Sequence, residues 1–233
     1  MKIGIFWTGL KRADRRFRES WVVLFLSLTL SALTLNGCDT CDDERDDAWP
    51  IYTTEITSDI EADGDIGLTQ DGILTISSAM DTGNILAGID PLTGEEFRGF
   101  LDFPLRGSDG IPLNADIESA TLEVFVSWMS DSPPGQIFPF IIDLIAFQPP
   151  ILIADDFNRA IQSPLLTIPI DFYPSDVGYF VAIDVTTLMN EAQIEKLPDL
   201  QIRLLLDFSA DSGLIEIEDS DFDTAPQLTV SYF

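Results

Sequence analysis

The sequence contains no histidine, and this absence removes several kinds of chemistry at once. A chain without histidine has no Ser-His-Asp or Cys-His catalytic arrangement, no histidine-based zinc site and no imidazole general base. It also lacks the glycine-rich loop that binds phosphates. A pair of carboxylates can still cleave a glycan, but among 40 acidic residues a neighbouring pair such as Asp155 and Asp156 is uninformative. We therefore predict that the protein is not an enzyme, and keep a carboxylate-based glycan-active enzyme as the weakest alternative.

Cationic residues are scarce once the first 37 residues are set aside. Six of the 12 lysines and arginines and two of the 40 acidic residues precede Cys38, which leaves six cations against 38 acids and a net charge of −32. Such a surface repels phosphate backbones, so nucleic acid is excluded as a partner. The acid excess is interpreted as a solvated coat or an adaptation to salt, in preference to specific cation binding. Hydrophobic residues make up 45% of the chain, which is enough for a core.

The apolar run near the amino terminus is shorter than a bilayer span. Residues 21–35 are mostly apolar, about 15 residues where a spanning helix needs about 20. Residues 1–20 carry a cationic cluster, and small residues follow the apolar run. A positive head, a short apolar centre and a small-residue exit predict a cleaved export signal over residues 1–37. An uncleaved anchor helix is the alternative.

The residues that end this leader, Leu35-Asn36-Gly37-Cys38, resemble the bacterial lipobox. The resemblance implies that the Cys38 thiol receives a diacylglycerol and that the leader is removed before it. The protein is then a lipoprotein anchored in the bacterial cell envelope, facing the periplasm or the cell surface. Cys41 is left as a free thiol or an intermolecular link, or forms a disulfide with Cys38 if lipidation fails. Residues 38–50 form an acidic tether with a reach of at most about 45 Å.

Residues 51–233 form the folded part, and their pattern is strand, turn, strand. One segment alternates, with Leu122, Val124 and Val126 on one face. Residues 138–145 are apolar almost throughout, as in a strand covered on both sides. The predicted strands are 72–77, 84–89, 97–103, 121–127, 138–145, 179–185, 200–206, 213–218 and 227–232. About nine strands at this spacing predict an all-β, jelly-roll-like β-sandwich.

One or two short helices are expected within this domain. Asp155 is placed to cap a helix over residues 156–161. Thr186 or Thr187 is placed to cap a second helix over residues 188–193, which stops before a proline.

Four segments are similar to DNRLRE-type domains, in the same order and spacing across residues 58–233. They are 97–103 and 115–124 in the early half, and 183–186 and 225–232 in the later half. The resemblance implies a jelly-roll-like β-sandwich of a secreted or surface protein, and some members of the family behave as carbohydrate-binding modules. It implies no catalytic residue. By their own chemistry, Asp184 and Thr186 are expected to bond to nearby backbone and start a helix.

A glycan site needs exposed aromatic rings beside polar groups, because the CH face of a sugar stacks on a ring. The candidate residues are Phe172, Tyr173, Trp128 and Tyr179. Phe172 and Tyr173 precede Pro174 in a predicted turn, and they are the candidates most expected to be exposed. Trp128 continues the face of Val126, so packing in the core or at its rim is favoured for it over ligand binding.

Carboxylates at alternate positions around Gly64 resemble a calcium-binding loop. They are Asp59, Glu61, Asp63 and Asp65. Gln70 stands where such a loop needs a bidentate glutamate, and the flanks look extended, so an ordinary acidic turn is favoured over a structural calcium site. A second acidic run, residues 216–223, is interpreted as a solvated strand edge and loop that discourages edge pairing.

Two functions are consistent with these features. The first is a membrane-anchored surface module that binds polysaccharide or matrix material, with or without calcium. The second is a structural envelope lipoprotein that acts through contacts with other envelope proteins. In both, the lipid anchor makes the membrane a partner, and the β-sandwich performs no reaction.

Overall fold

The structure is a computed structural model that describes residues 50–107, 110–130, 136–147 and 152–233. The predicted signal peptide, Cys38, Cys41 and the tether up to residue 49 lie outside these residues. The described part of the chain is mostly β-strand, with three short α-helices and one 3-10 turn. None of its helices has the length and apolar character to cross a bilayer.

Twelve strands are found in the described residues. They are β1 (Tyr52–Thr57), β2 (Gly64–Leu68), β3 (Leu74–Ser78), β4 (Asn84–Ile89), β5 (Glu96–Pro104), β6 (Ile117–Met129), β7 (Phe138–Ile145), β8 (Leu166–Phe172), β9 (Tyr179–Asp184), β10 (Asp199–Leu206), β11 (Gly213–Glu218) and β12 (Gln227–Tyr232). The helices are α1 (Ala79–Thr82), α2 (Ala154–Phe157) and α3 (Thr186–Ile194), and the 3-10 turn covers Pro174–Asp176.

The strands form one curled sheet in which the described pairs are antiparallel. Its main path runs β1-β12-β6-β11-β4-β5-β10-β7-β8, with β9 beside β6 and the β2-β3 hairpin beside β5. The first part of β6 pairs with β12 and its last residues pair with β11. The two halves of the sheet face each other, because both contribute to one core. The prediction of an all-β, sandwich-like fold is confirmed.

The main core lies between the two halves of the sheet. Leu122, Val124 and Val126 of β6 are buried in it, as their alternation predicts. Phe103 of β5 and Phe140 of β7 belong to the same hydrophobic cluster from the opposite half. Residues from distant parts of the chain therefore fill a single interior.

A second, smaller cluster covers the outer side of β5 and β7. Its buried members are Ile66, Phe100, Ile145, Phe147, Leu152 and Phe157. Because Ile142 and Leu144 of β7 lie in the main core while Ile145 lies in this cluster, β7 is covered on both sides. The apolar run 138–145 predicts this arrangement correctly.

The sequence does not predict β1, β2 or β8. β2 contains Gly64 and Gly67, and β8 contains Pro169, all of which weaken a strand signal. Pro169 is tolerated because β8 is the terminal strand of the main path, where a missing N–H costs no ladder bond. The predicted strand 72–77 begins later, at Leu74, because Gly72 adopts a φ of +80° in the turn between β2 and β3.

The helices differ in detail from the expectation. α2 covers Ala154–Phe157 and is shorter than predicted, and Asp156, not Asp155, accepts the N–H of Ile153 at 2.8 Å. α3 begins at Thr186, two residues before the predicted range, and its N-cap residue is Val185, so the expectation that Thr186 or Thr187 caps it is wrong. The Asp184 carboxylate accepts the Thr186 N–H at 2.9 Å, as expected. α1 is a third helix that the sequence does not predict.

Candidate functional site

An open polar face is formed by β1, β12, β6 and β9 on the side away from the core. Glu123 points outward because Leu122 and Val124 on either side of it point inward. The strand register places four residues side by side in one row across the four strands: Thr57, Gln227, Glu123 and Ala182. The row is polar on β1, β12 and β6. It ends at Ala182 on β9, and this small side chain leaves space above that strand.

A pocket of about 220 Å³, called here the aromatic pocket, lies over this row. Its lining residues are Thr57, Glu123, Phe180, Phe222, Asp223, Ala225 and Gln227. Phe180 and Phe222 are 49% and 80% exposed. The ring of Phe180 packs edge-to-face on Phe125, with centroids 5.2 Å apart, so one side of it is held while the rest faces solvent.

The loop between β11 and β12 carries the second ring. The Asp221 carbonyl accepts the N–H groups of Thr224 and Ala225 at 3.0 and 2.8 Å, which closes a turn around Phe222 and Asp223. The turn therefore brings an aromatic ring and a carboxylate to the same edge of the pocket. Two exposed rings beside carboxylate, amide and hydroxyl groups can stack on a sugar and hydrogen-bond to its hydroxyls.

A larger cavity, of about 510 Å³, lies on the opposite half of the sheet. Its lining includes Arg98, Phe157, Arg159 and Phe208. Both arginines in its wall already have carboxylate and aromatic partners. Arg98 pairs with Glu96 at 2.6 Å and stacks on Phe157 at 4.0 Å. Arg159 pairs with a buried carboxylate at 2.8 Å and lies over Phe208 at 5.3 Å. These contacts hold the α2 segment on the sheet, so we assign this wall a structural role.

The predicted glycan residues Phe172 and Tyr173 have different surroundings. Phe172 is the last residue of β8 and fully buried, with its ring edge-to-face on Phe140 at 5.4 Å. The expectation that Phe172 is exposed is therefore wrong, because the strand continues through it and turns its ring into the core. Tyr173 is 44% exposed, as expected, but lines none of the four cavities described in the structure.

Trp128 and Tyr179 are both exposed. The register between β6 and β11 shifts at Glu216 and Ile217, and this irregularity takes Trp128 off the inward face of Val126, leaving it 46% exposed. The expectation that Trp128 continues the inward face of Val126 is therefore wrong. Tyr179 begins β9 and is 68% exposed. Neither ring lines the four described cavities, although Tyr179 directly precedes Phe180.

The four predicted calcium ligands do not form one cluster in the structure. Asp59 accepts the N–H of Glu61 at 3.1 Å, and both residues are exposed. Asp63 and Asp65 are buried and accept backbone N–H groups of β5 and β4, at 2.7 and 3.1 Å. No three carboxylates among the described residues are grouped closely enough to hold a metal ion by themselves.

One member of the second acidic run also differs from the expectation. Asp219 is only 2% exposed, so the interpretation of residues 216–223 as fully solvated is wrong at this position. Burial raises the pKa of Asp219 to about 6. A carboxylate buried at the end of a strand needs a partner.

Sequence reasoning missed both rings of the aromatic pocket. Phe180 and Ala182 alternate with Val181 and Ile183, a pattern that marks Phe180 as outward-facing. Phe222 lies within the second acidic run, which the sequence analysis interprets through its charges alone. A single aromatic residue in a polar loop nevertheless indicates an exposed ring. The similarity to DNRLRE-type domains and the lipobox stay predictions. The chain matches no protein-family model, and no curated protein is significantly similar to it.

Proposed function

We propose that the protein is a membrane-anchored, extracytoplasmic lipoprotein whose non-catalytic β-sandwich binds glycan in the aromatic pocket. The observation that carries the proposal is the pair of exposed rings, Phe180 and Phe222, beside the carboxylate and the amide of one strand row and the Asp223 carboxylate of the loop. The predicted leader over residues 1–37, which Cys38 follows directly, supports the membrane anchor, and the acidic composition supports a solvated surface.

The polar face around the pocket supports an extended ligand. Outward residues of β1, β12 and β6 next to the pocket are mainly short hydroxyl side chains, namely Thr53, Thr229, Ser231, Ser119 and Thr121. Such a face presents hydrogen-bonding groups without apolar bulk, so a polymer chain can continue beyond the pocket. We propose that this pocket recognises its ligand without a chemical reaction.

Glycan binding is tested with the mature lipoprotein in mild detergent, applied to a glycan array and then titrated with the best polysaccharide. We expect Phe222→Ala and Phe180→Ala each to weaken binding by about five- to tenfold, because each removes one stacking surface. Tyr173→Ala is the matched control, since it removes an exposed ring outside the pocket, and it should leave affinity unchanged. A blank array, or equal losses in all three variants, refutes the proposed site.

The anchor is tested separately, by intact mass spectrometry of the amino terminus and by membrane fractionation. We expect a diacylglycerol on Cys38 and loss of residues 1–37. Cys38→Ser should prevent lipidation and release the protein from the membrane fraction, whereas Cys41→Ser should leave it there. An unmodified Cys38 in the wild-type protein contradicts the anchor without affecting the glycan result.

A further inference from the structure

The aromatic pocket has two carboxylates and no cation in its lining. Glu123 comes from β6, and Asp223 comes from the loop between β11 and β12. The ion pairs found among the described residues involve neither of these side chains. A ligand that enters the pocket therefore meets two negative charges that no described arginine or lysine neutralises.

Pairing with β6 fixes the loop that carries Asp223 at both of its ends. Ile217 of β11 lies opposite Val126, and Gln227 of β12 lies opposite Glu123. The loop thus leaves the sheet and rejoins it beside the same short stretch of β6, residues 123–126. Because of this register, a carboxylate of the loop and a carboxylate of the strand share one pocket.

The surface around the pocket adds negative charge and no positive charge. β1, β6, β9, β12 and residues 219–226 contain no lysine or arginine. Glu55 of β1 is exposed and lies in the next outward row, opposite Thr229, about 7 Å further along the strands. Such a surface repels a glycan that carries carboxylate or sulfate groups, because like charges then face each other.

No described arginine or lysine covers either exposed ring of the pocket. The cation–π contacts of the described residues use other rings, those of Phe157 and Phe208. The face of an aromatic ring attracts a positive charge within about 6 Å of its centre, and it also stacks on the CH groups of a sugar. Phe180 and Phe222 can therefore hold a sugar ring and a positive charge together.

A protonated amino group suits this lining better than a hydroxyl group. Carboxylates only accept hydrogen bonds. An ammonium group donates three and cancels a charge, whereas a hydroxyl donates one and cancels none. Since a ligand displaces water from Glu123 and Asp223, an uncharged ligand leaves both carboxylates less solvated without compensation. The lining thus favours a sugar that brings its own positive charge.

We propose that the aromatic pocket selects a glycan whose sugars carry free, protonated amino groups. This inference rests on the proposed function of the pocket and names its substrate class. One amino sugar occupies the pocket, with its ring on Phe180 or Phe222 and its ammonium group between Glu123 and Asp223. The volume of about 220 Å³ is below the range of about 300–1,000 Å³ for drug-sized ligands, so a single sugar unit fits. The following units run over the hydroxyl-bearing face towards Glu55.

The test compares two linear tetramers that differ only in their amino groups, one of glucosamine and one of N-acetylglucosamine. Each is titrated calorimetrically into the mature lipoprotein in mild non-ionic detergent at about pH 5.5, where the free amino groups are protonated. We expect the glucosamine tetramer to bind at least about tenfold more tightly. Added salt should remove this advantage, because it screens the charges.

Glu123→Gln keeps the size of the side chain and removes its charge. We expect it to weaken binding of the glucosamine tetramer about five- to tenfold and to change binding of the acetylated tetramer by less than about twofold. Asp223→Asn should act in the same direction. Asp221→Asn is the matched control, because Asp221 is an exposed residue of the same loop outside the pocket lining, and it should leave both affinities unchanged.

Equal affinity for the two tetramers, or tighter binding of the acetylated one, overturns the preference for amino sugars and leaves the proposed glycan binding intact. Equal losses in Glu123→Gln and Asp221→Asn also overturn it, because they show diffuse attraction to the acidic surface. Tetralysine that binds as tightly as the glucosamine tetramer, and equally well to Phe222→Ala, overturns it in favour of a basic peptide. If neither tetramer binds, the inference fails, and the glycan array decides separately whether the pocket binds another polysaccharide.

Discussion

Arg203 and Asp143 form an ion pair that is closed to solvent, with both side chains fully buried and Nη2 of the arginine 2.8 Å from Oδ2 of the carboxylate. The second carboxylate oxygen accepts hydrogen bonds from Arg159 and Thr167 at 2.8 and 2.7 Å. Arg203 also donates to the carbonyl of Asp156 at 2.7 Å. The pair thus connects β10 and β7 to the α2 segment that covers them.

Removal of the Asp143 charge should leave the positive charge of Arg203 buried without a negative partner. We expect Asp143→Asn to lower the free energy of unfolding by about 3–5 kcal/mol, measured by denaturant titration of tryptophan fluorescence. Replacing both partners, as Asp143→Leu with Arg203→Met, should cost less than the single change. Glu96→Gln is the control, because the Glu96 side chain is 31% exposed and its pair should contribute about 1 kcal/mol or less. Similar losses in Asp143→Asn and Glu96→Gln would contradict this account.

The neighbours Phe172 and Tyr173 should differ sharply in their contribution to stability. Phe172→Ala empties a core position and is expected to cost about 3–5 kcal/mol. Tyr173→Ala removes a ring that is 44% exposed and should cost about 1 kcal/mol or less. Denaturant titration of both variants gives the comparison, and a small loss for Phe172→Ala would place its ring outside the core.

A methyl group at Gly88 should disrupt the pairing of β4 with β11. Gly88 has a φ of +117°, and a Cβ there would run into the Gly213 carbonyl. Gly88→Ala is expected to destabilise the domain by more than about 2 kcal/mol. Gly72→Ala is the matched control, because its φ is also positive while nothing lies within 4 Å of the added carbon, so about 1 kcal/mol is expected. Equal losses would show that steric contact with β11 is unimportant.

The stability of the domain should fall with rising pH through the buried Asp156. Burial raises the pKa of this carboxyl above its usual value. From about pH 4 upward the unfolded chain has lost this proton while the folded chain retains it, so folding becomes less favourable until the folded-state pKa is passed. Asp156→Asn keeps an acceptor for the Ile153 N–H and should flatten that part of the curve of unfolding free energy against pH.

The exposed Asp171 of β8 provides the control for this pH effect. Asp171→Asn removes one negative charge without touching the Ile153 contact, so the shape of its pH curve should match that of the wild type. If Asp156→Asn retains the full wild-type slope, the decline has another source.

The elements that the sequence predicts well are those whose faces are set by local alternation. Leu122, Val124 and Val126 define the inward face of β6 without any knowledge of its neighbours, and the apolar run of β7 indicates cover on both sides. The sequence does not predict β8 because Pro169 interrupts its pattern, and without this strand it wrongly predicts that Phe172 is exposed.

The candidate site is less predictable because it depends on pairing between distant segments. Thr57, Glu123 and Gln227 become neighbours only through the registers of β1, β12 and β6. The exposure of Trp128 likewise depends on the register shift between β6 and β11. No pattern within the sequence of β6 indicates that shift. Local sequence thus predicts which residues face outward far better than which of them meet.

The pairing of β1 with β12 sets the order in which the domain can be completed. Residues 52–57 bond along their whole length to residues 227–232, so a chain made from its amino terminus holds β1 without its partner until almost all of the domain exists. Contacts of such long range slow folding, and an unpaired strand edge in the meantime invites association with other chains. The newly made protein is therefore most prone to aggregation in the interval before its final strand docks.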